Sequence, residues 1–528
     1  MRYPNSDRWT LNRLDFHLAH GERLALVGPS GCGKSTIARV VMQLLPFGSI
    51  CKGDLSLIGQ DPRQLNSAGL RRLRGEAVGL VFQDPMSRLN PLMSVGEHII
   101  DTLQAHRPWE NSETLRERAA NLLDKVGISS DRFNAFPHEF SGGMRQRLVI
   151  ALAIALDPPL VIADEPTTSL DVAIADQVMT ELSMLCDQIG SSLLLISHDL
   201  ALATRWCNRI SIMDQGRIVE EGLIREFLIS PQSLIGSRLL KAAWEKEVGR
   251  ANTRCSSELI LEVNRLRCWH AIGGMPWRVD WLKAVDEISF NLFAGETLGV
   301  VGISGCGKST LCRALMGLLP IRGGEVKLKG EDLVRLKGKA LRSARQSLQM
   351  VFQDPLASLN PKMKVVEAIA DPLLMHNLAT SREAYERARE LLNEVGLSPP
   401  ENFQNRFPDQ LSGGQQQRVA IARALALEPK VLICDESVSM LDVEIQGEIL
   451  DLLTLLQDRL KVSILFITHD ISVATGFCHR VIVLDKGKIV EEGPGKKVLE
   501  APQLAITQKL VDVCPRLPLL PSGSLPTS

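Results

Sequence analysis

Residues 28–35 read GPSGCGKS, and residues 302–309 read GISGCGKS. Both fit G-x-x-x-x-G-K-[ST], a pattern whose glycines let the backbone wrap until successive N–H groups face a phosphate. The flanks agree with that reading. RLALVG and TLGVVG precede the two loops as short apolar runs suited to buried parallel strands. After the loops, apolar residues fall at helical spacing: Ile37, Val40, Val41, Leu44 and Leu45, then Leu311, Ala314, Leu315, Leu318 and Leu319. Pro46 and Pro320 stop both patterns. The reading is strand, phosphate loop, helix, written twice. Lys34 and Lys308 would reach the outer phosphates, and Ser35 and Ser309 would offer hydroxyls to Mg2+. Gly28, Ser30, Gly31, Cys32, Gly33 and Thr36 would line the first loop, and Gly302, Ser304, Gly305, Cys306, Gly307 and Thr310 the second.

Working outward, the rest of the chain repeats as well. VFQDPMSRLNP (Val81 to Pro91) returns as VFQDPLASLNP (Val351 to Pro361), and FSGGMRQR (from Phe140) as LSGGQQQR (from Leu411). LVIADEPTTSLDV (from Leu160) matches VLICDESVSMLDV (from Val431), and LLISHD (from Leu194) matches LFITHD (from Leu465). The offset stays between 270 and 274 residues, so the chain of 528 residues is a tandem duplication of one domain. The expected boundaries are 1–240 and 259–510, with helical subdomains at about 84–150 and 354–420. A polar linker is expected at 241–258, and a disordered Pro- and Ser-rich tail at 511–528. One asymmetry stands out. The second copy has a β-like run, LILEVNRLRCW from Leu259, ahead of its loop, whereas the first copy has only 33 residues before Lys34. The first domain is therefore expected to lack an opening edge strand, or to have its true start upstream.

Composition narrows the function classes. Apolar content of 45% and charged content of 23% are those of a globular protein, and a net charge of −1 draws it to no polyanion, so nucleic acid is not an expected partner. The 11 cysteines are scattered without a CxxC, which fits reduced thiols used as small apolar residues. MRYPNSDRWT holds no apolar leader, and the longest apolar run, Leu148 to Leu156, is too short to cross a bilayer. Any membrane role would come through a partner.

LVIADE and VLICDE place two carboxylates directly after a buried run, where doubly wound sheets hold ligands. A surface Asp-Glu pair is common in isolation, but not behind four apolar residues in both copies. Asp164 and Asp435 would hold Mg2+, and Glu165 and Glu436 would polarise an attacking water as general bases. His198 and His469 end the runs SLLLISH and ILFITH, and beside a phosphate loop they read as contacts to the terminal phosphate that also orient the base.

Together with the Ser-Gly-Gly phrase, these motifs resemble the ATP-binding cassette (ABC) family over nearly the whole chain, once per half. The resemblance implies an α/β fold of two tandem P-loop NTPase domains. Each would have a RecA-like parallel-sheet core, an antiparallel β part and a helical subdomain. It implies ATP and Mg2+ as cofactors. Ser141, Gly142 and Gly143 would act on the nucleotide held by Lys308, and Ser412, Gly413 and Gly414 on the one held by Lys34. A helix N-terminus with a hydroxyl and glycines is an anion site, which suits that role. Gln83 and Gln353 match the family's Q-loop, near Mg2+ and the transport partner, and Asp171 and Asp442 match its D-loop. The duplication then makes sense, because two cassettes sandwich two ATP molecules and fusion makes the pairing intramolecular.

The VFQDP…LNP wording is narrower and resembles the peptide and nickel importer ATPases. That resemblance implies energy coupling to uptake of peptides, glutathione or nickel through two permeases and an extracytoplasmic binding protein. The place implied is the cytoplasmic face of the bacterial inner membrane. Cys255, Cys268 and Cys514 do not reproduce the spacing of that group's cysteine-rich extension, so no iron–sulfur cluster is expected. Tyr3, Trp9, Trp277 and Trp281 are candidates to stack on adenine. The rival reading is a soluble twin-cassette ATPase acting on ribosomes, but its long charged helical linker has no match here.

Overall fold

A strand buried along its whole length needs cover on both faces. The computed structural model describes residues 1–4, 6–85, 88–168, 170–245, 256–275, 278–439 and 441–517. The chain divides into two compact units, Met1–Ala243 with Pro515–Ser528, and Trp244–Cys514.

In the first unit, β1 (Arg23–Val27) leads into the phosphate loop and α1 (Lys34–Val41). β2 (Val78–Val81) follows, then α2 (Val95–His106), α3 (Ser112–Lys125) and α4 (Gly142–Ile154). β3 (Leu160–Asp164), α5 (Val172–Ile189), β4 (Ser192–Ser197), α6 (Leu200–Trp206), β5 (Arg209–Asp214) and β6 (Arg217–Leu223) complete the core. The sheet order is β2-β3-β4-β1-β5-β6, parallel except for β6 at the edge. Leu24, Leu26, Leu193 and Leu195 are wholly buried in its middle. The register sets Val27 beside Ser197 and Asp164 beside Ile196. The loop after β1, the acidic pair at the end of β3 and His198 after β4 therefore emerge at one end of the sheet.

In the second unit, β7 (Leu259–Met275) and β8 (Arg278–Phe293) come first, then β9 (Thr297–Val301), α7 (Lys308–Leu315), β10 (Gly323–Leu328) and β11 (Glu331–Asp332). β12 (Leu348–Val351) precedes α8 (Val365–Met375), α9 (Ser381–Glu394) and α10 (Gly413–Leu425). The core closes with β13 (Val431–Asp435), α11 (Val443–Leu460), β14 (Ser463–Ile467), α12 (Ile471–Phe477), β15 (Arg480–Asp485) and β16 (Lys488–Pro494). Its sheet order, β12-β13-β14-β9-β15-β16, repeats the first.

The second unit adds a four-stranded antiparallel sheet, β11-β10-β7-β8. Leu261, Val263, Leu266 and Cys268 of β7 and Val285, Ile288 and Phe290 of β8 join Leu311, Cys312 and Leu315 of α7 in one buried cluster. The run at Leu259 is thus a central strand, not the edge strand expected from sequence. There it pairs with both β10 and β8. Among the described residues before β2, the first unit has only isolated antiparallel bridges, Arg2 to Ile50 and Leu57 to Gln60. Met1 and Arg2 form a short stub there: Thr10 and Leu11 N–H donate to Met1 O (2.9 and 3.1 Å), and Arg2 and Ile50 exchange bonds of 2.8 and 2.9 Å. Residues 12–18 alternate partly buried and exposed, as a strand would, but pair with no ladder.

The interval read as a linker is partly helical, since a helix covers Leu234–Glu245; residues 246–255 lie outside the described residues. A helix spans Ala505–Val513, past the expected domain end at 510, and the tail from 518 onward lies outside the described residues. Among the described residues, no helix is long and apolar enough to cross a membrane.

Candidate nucleotide site

The phosphate loops are shaped by what their glycines avoid. A Cβ on Gly28 would stand 2.1 Å from the Met213 carbonyl oxygen at the end of β5, and one on Gly302 would stand 2.4 Å from that of Leu484. Gly33 and Gly307 take φ of 109° and 111° as they hand the chain to α1 and α7, a left-handed geometry that side chains rarely adopt. Lys34 Nζ donates to Gly28 O at 2.7 Å and Pro29 O at 3.0 Å, and Lys308 Nζ donates to Gly302 O at 2.8 Å and Ile303 O at 3.2 Å. Ser30, Gly31, Ser304 and Gly305 are exposed at the loop tips, while Cys32 and Cys306 point inward and are buried. Thr36 is buried and Thr310 partly so.

The acidic pairs meet the loops as the register requires. Ser35 Oγ donates to Asp164 Oδ1 at 2.8 Å, and Ser309 Oγ to Asp435 Oδ1 at 3.3 Å. Burial pushes both aspartates above their ordinary carboxyl value, with the hydroxyl bond only partly offsetting it. A carboxylate held that way, beside a hydroxyl, is a hard-oxygen donor set that fits Mg2+.

Glu165 and Glu436 leave the strand with φ of 48°, an uncommon conformation for a residue with a side chain. Their amides donate to Ile196 O (2.9 Å) and Ile467 O (3.0 Å). Gln83 Nε2 donates to Glu165 Oε2 at 2.8 Å and Gln353 Nε2 to Glu436 Oε2 at 2.9 Å. His198 Nδ1 lies 3.2 Å from Glu165 Oε1, and His469 Nδ1 lies 3.3 Å from Glu436 Oε1. Burial raises both glutamates, but the histidine hydrogen bond and charge outweigh it, so both fall below the ordinary value. Burial likewise lowers His198, yet its bond to Glu165 wins and the ring is shifted upward.

The Ser-Gly-Gly phrases start helices. Ser141 caps α4 by accepting from Met144 N, and Ser412 caps α10 by accepting from Gln415 N, each at 3.4 Å. The two glycines of each phrase differ. A Cβ on Gly143 would meet Ile174 Cγ2 at 2.3 Å, and one on Gly414 would meet Ile445 Cγ2 at 2.6 Å, so these positions are small because helix packs on helix. Gly142 and Gly413 are exposed with ordinary space around them. Asp171 and Asp442 cap α5 and α11, accepting from Ile174 N and Ile445 N at 3.0 Å.

Two features escaped the sequence reading. Thr168 Oγ1 donates to Glu165 Oε2 at 3.0 Å, and a hydroxyl residue three places after the glutamate in both copies was the available signal. The Tyr3 hydroxyl lies 3.3 Å from Thr36 Oγ1, tying one adenine candidate to the first loop. Trp9 lies under Arg2 and Trp281 under Arg322, and Trp277 lies outside the described residues.

Two nucleotide-binding α/β units, each gathering phosphate loop, metal-type aspartate, glutamate, glutamine and histidine at one sheet end, define a P-loop NTPase built in duplicate. The sequence profile of the ABC transporter family matches residues 11–168 and 285–439. A glutathione import ATP-binding protein of Pectobacterium atrosepticum is 38% identical over 540 residues, covering 96% of this chain and 86% of the relative. A peptidoglycan transport ATP-binding protein of Agrobacterium fabrum is 39% identical over 508 residues, covering 95% and 92%. A solved dimeric ATP-binding cassette in a post-hydrolysis state bound to ADP and Pi is 31% identical, with a TM-score of 0.41, over 44% of this chain and 98% of its own. The chain belongs to the ABC transporter family: it is an ATPase whose hydrolysis is coupled to transport, working with ATP and Mg2+.

Proposed function

We propose that the protein is the energy-coupling subunit of a bacterial importer. In this reading two Mg2+-ATP are held between its two units, and closure on ATP moves partner permeases. The observation that carries it is the division of labour within each repeat. Loop, aspartate, glutamate, glutamine and histidine meet inside one unit, while Ser141–Gly142 and Ser412–Gly413 stand exposed at helix N-termini with room for an anion. Each exposed end would grip the nucleotide held by the other unit's loop.

The roles follow from the contacts. Lys34 and Lys308 would exchange loop carbonyls for phosphate oxygens. Ser35 and Asp164, and Ser309 and Asp435, would hold Mg2+ with Gln83 and Gln353 near it; the ion neutralises phosphate charge when bound. Glu165 and Glu436 would take a proton from the attacking water. With Nδ1 on the glutamate, His198 and His469 have Nε2 left to meet the terminal phosphate. Asp171 and Asp442, already fixed as helix caps, would lie near the seam between the units.

Permeases, an extracytoplasmic binding protein and a seat on the cytoplasmic face of the inner membrane belong to this proposal. The relatives' names, glutathione import and peptidoglycan transport, favour peptide-containing cargo over nickel and support transport over ribosome binding. The test pairs two measurements. The Glu165→Gln, Glu436→Gln double variant should bind ATP without turning it over and take a compact closed form, and unchanged turnover removes both glutamates from the role. Cells lacking the protein should lose uptake of glutathione or short peptides, whereas loss of nickel uptake alone overturns the cargo reading.

A further inference from the structure

The two glutamates are not held alike. Oε1 of Glu165 faces His198, and Oε2 accepts from Gln83 and from Thr168, whose Oγ1 lies 3.0 Å from that oxygen and 3.4 Å from the Glu165 backbone carbonyl. Glu436 has His469 on Oε1 and Gln353 on Oε2, but Ser439, the counterpart of Thr168, donates its hydroxyl to the Glu436 backbone carbonyl at 2.9 Å. The glutamines are the loosest of these donors, because Gln83 and Gln353 are exposed on a loop far away in the sequence. Thr168 sits in the turn directly after Glu165 and travels with it. Two heavy atoms on its Cβ restrict χ1, whereas the serine hydroxyl turns freely.

We propose that Thr168 is a positioning residue, holding the Glu165 carboxylate in its working orientation when Gln83 turns to another partner, a restraint Ser439 does not give Glu436. The two ATP sites are then unequal through one hydroxyl contact. This rests on the general-base reading of the glutamates. The full chain carrying Thr168→Val, which keeps the shape and removes the hydroxyl, should lose about two- to tenfold in kcat, the scale of one hydrogen bond. KM for ATP and the affinity for a fluorescent ATP analogue should not change, as they would if the contact merely supported the fold. Thr168→Ser, whose hydroxyl is free to turn to the backbone as that of Ser439 does, should recover only a minor part of the lost turnover, and Ser439→Ala should leave kcat as it is. Wild-type kcat in Thr168→Val, equal losses in Thr168→Val and Ser439→Ala, or a matching loss of affinity each overturn the inference. Should the Glu165→Gln, Glu436→Gln chain keep full turnover, the base assignment has failed instead, and the two failures are told apart.

Discussion

The second unit builds an antiparallel sheet around β7, and the first unit has a two-residue stub where that strand would run. Their loop lysines nevertheless make the same contact, 2.7 Å from Gly28 O in one and 2.8 Å from Gly302 O in the other. The site therefore depends on the ends of the parallel sheet, where β1, β3 and β4 (or β9, β13 and β14) deliver their loops. The antiparallel sheet covers the loop helix from one side but contributes none of the catalytic candidates.

That comparison can be broken at the glutamates first. Glu165→Gln and Glu436→Gln, made singly, should each cut turnover of their own site by about 10²- to 10⁴-fold, the usual worth of a general base. A loss confined to one of the two would mean that the copies no longer share a chemistry. The next test is of packing. Gly143→Ala and Gly414→Ala should each destabilise by about 1–3 kcal/mol in thermal unfolding, the cost of overpacking a helix contact. The first should suffer more, because its clash with Ile174 is the tighter. Gly142→Ala and Gly413→Ala should leave the melting temperature in place. Hydrogen exchange sharpens the sheet comparison: amides of residues 13–18 should exchange at least about tenfold sooner than those of β8, which are laddered to β7. The smallest difference is expected at the loop thiols. Burial raises Cys32 and Cys306 alike, so at neutral pH both hold less thiolate than a free cysteine, and both should alkylate slowly.

Much of this was readable in the chain. Glycine loops, buried runs and acidic pairs keep a fixed order, and a parallel sheet converts that order into one cluster. The run at Leu259 was legible as a strand, but not its central place, because strand order within a sheet leaves no mark on a single run of residues. Gly142 and Gly143 look equivalent in sequence, and only the neighbouring Ile174 separates a packing glycine from an exposed one. The Thr168 hydroxyl was equally hidden: which oxygen a side chain reaches depends on its rotamer, and Ser439 chooses differently in the same turn.

The sheet order also bears on how the chain comes off the ribosome. β1 finds its partners in β4 and β5, with Arg23 beside Leu193 and Leu24 beside Arg209, and β9 waits likewise for β14 and β15. Such distant pairings form slowly, and neighbouring repeats of similar sequence invite cross-pairing. Because β6 ends at Leu223, well before β9 begins at Thr297, vectorial synthesis lets the first repeat finish before the second offers a competing strand. Refolding of the whole chain from denaturant loses that order of appearance, and there the two copies become each other's decoys.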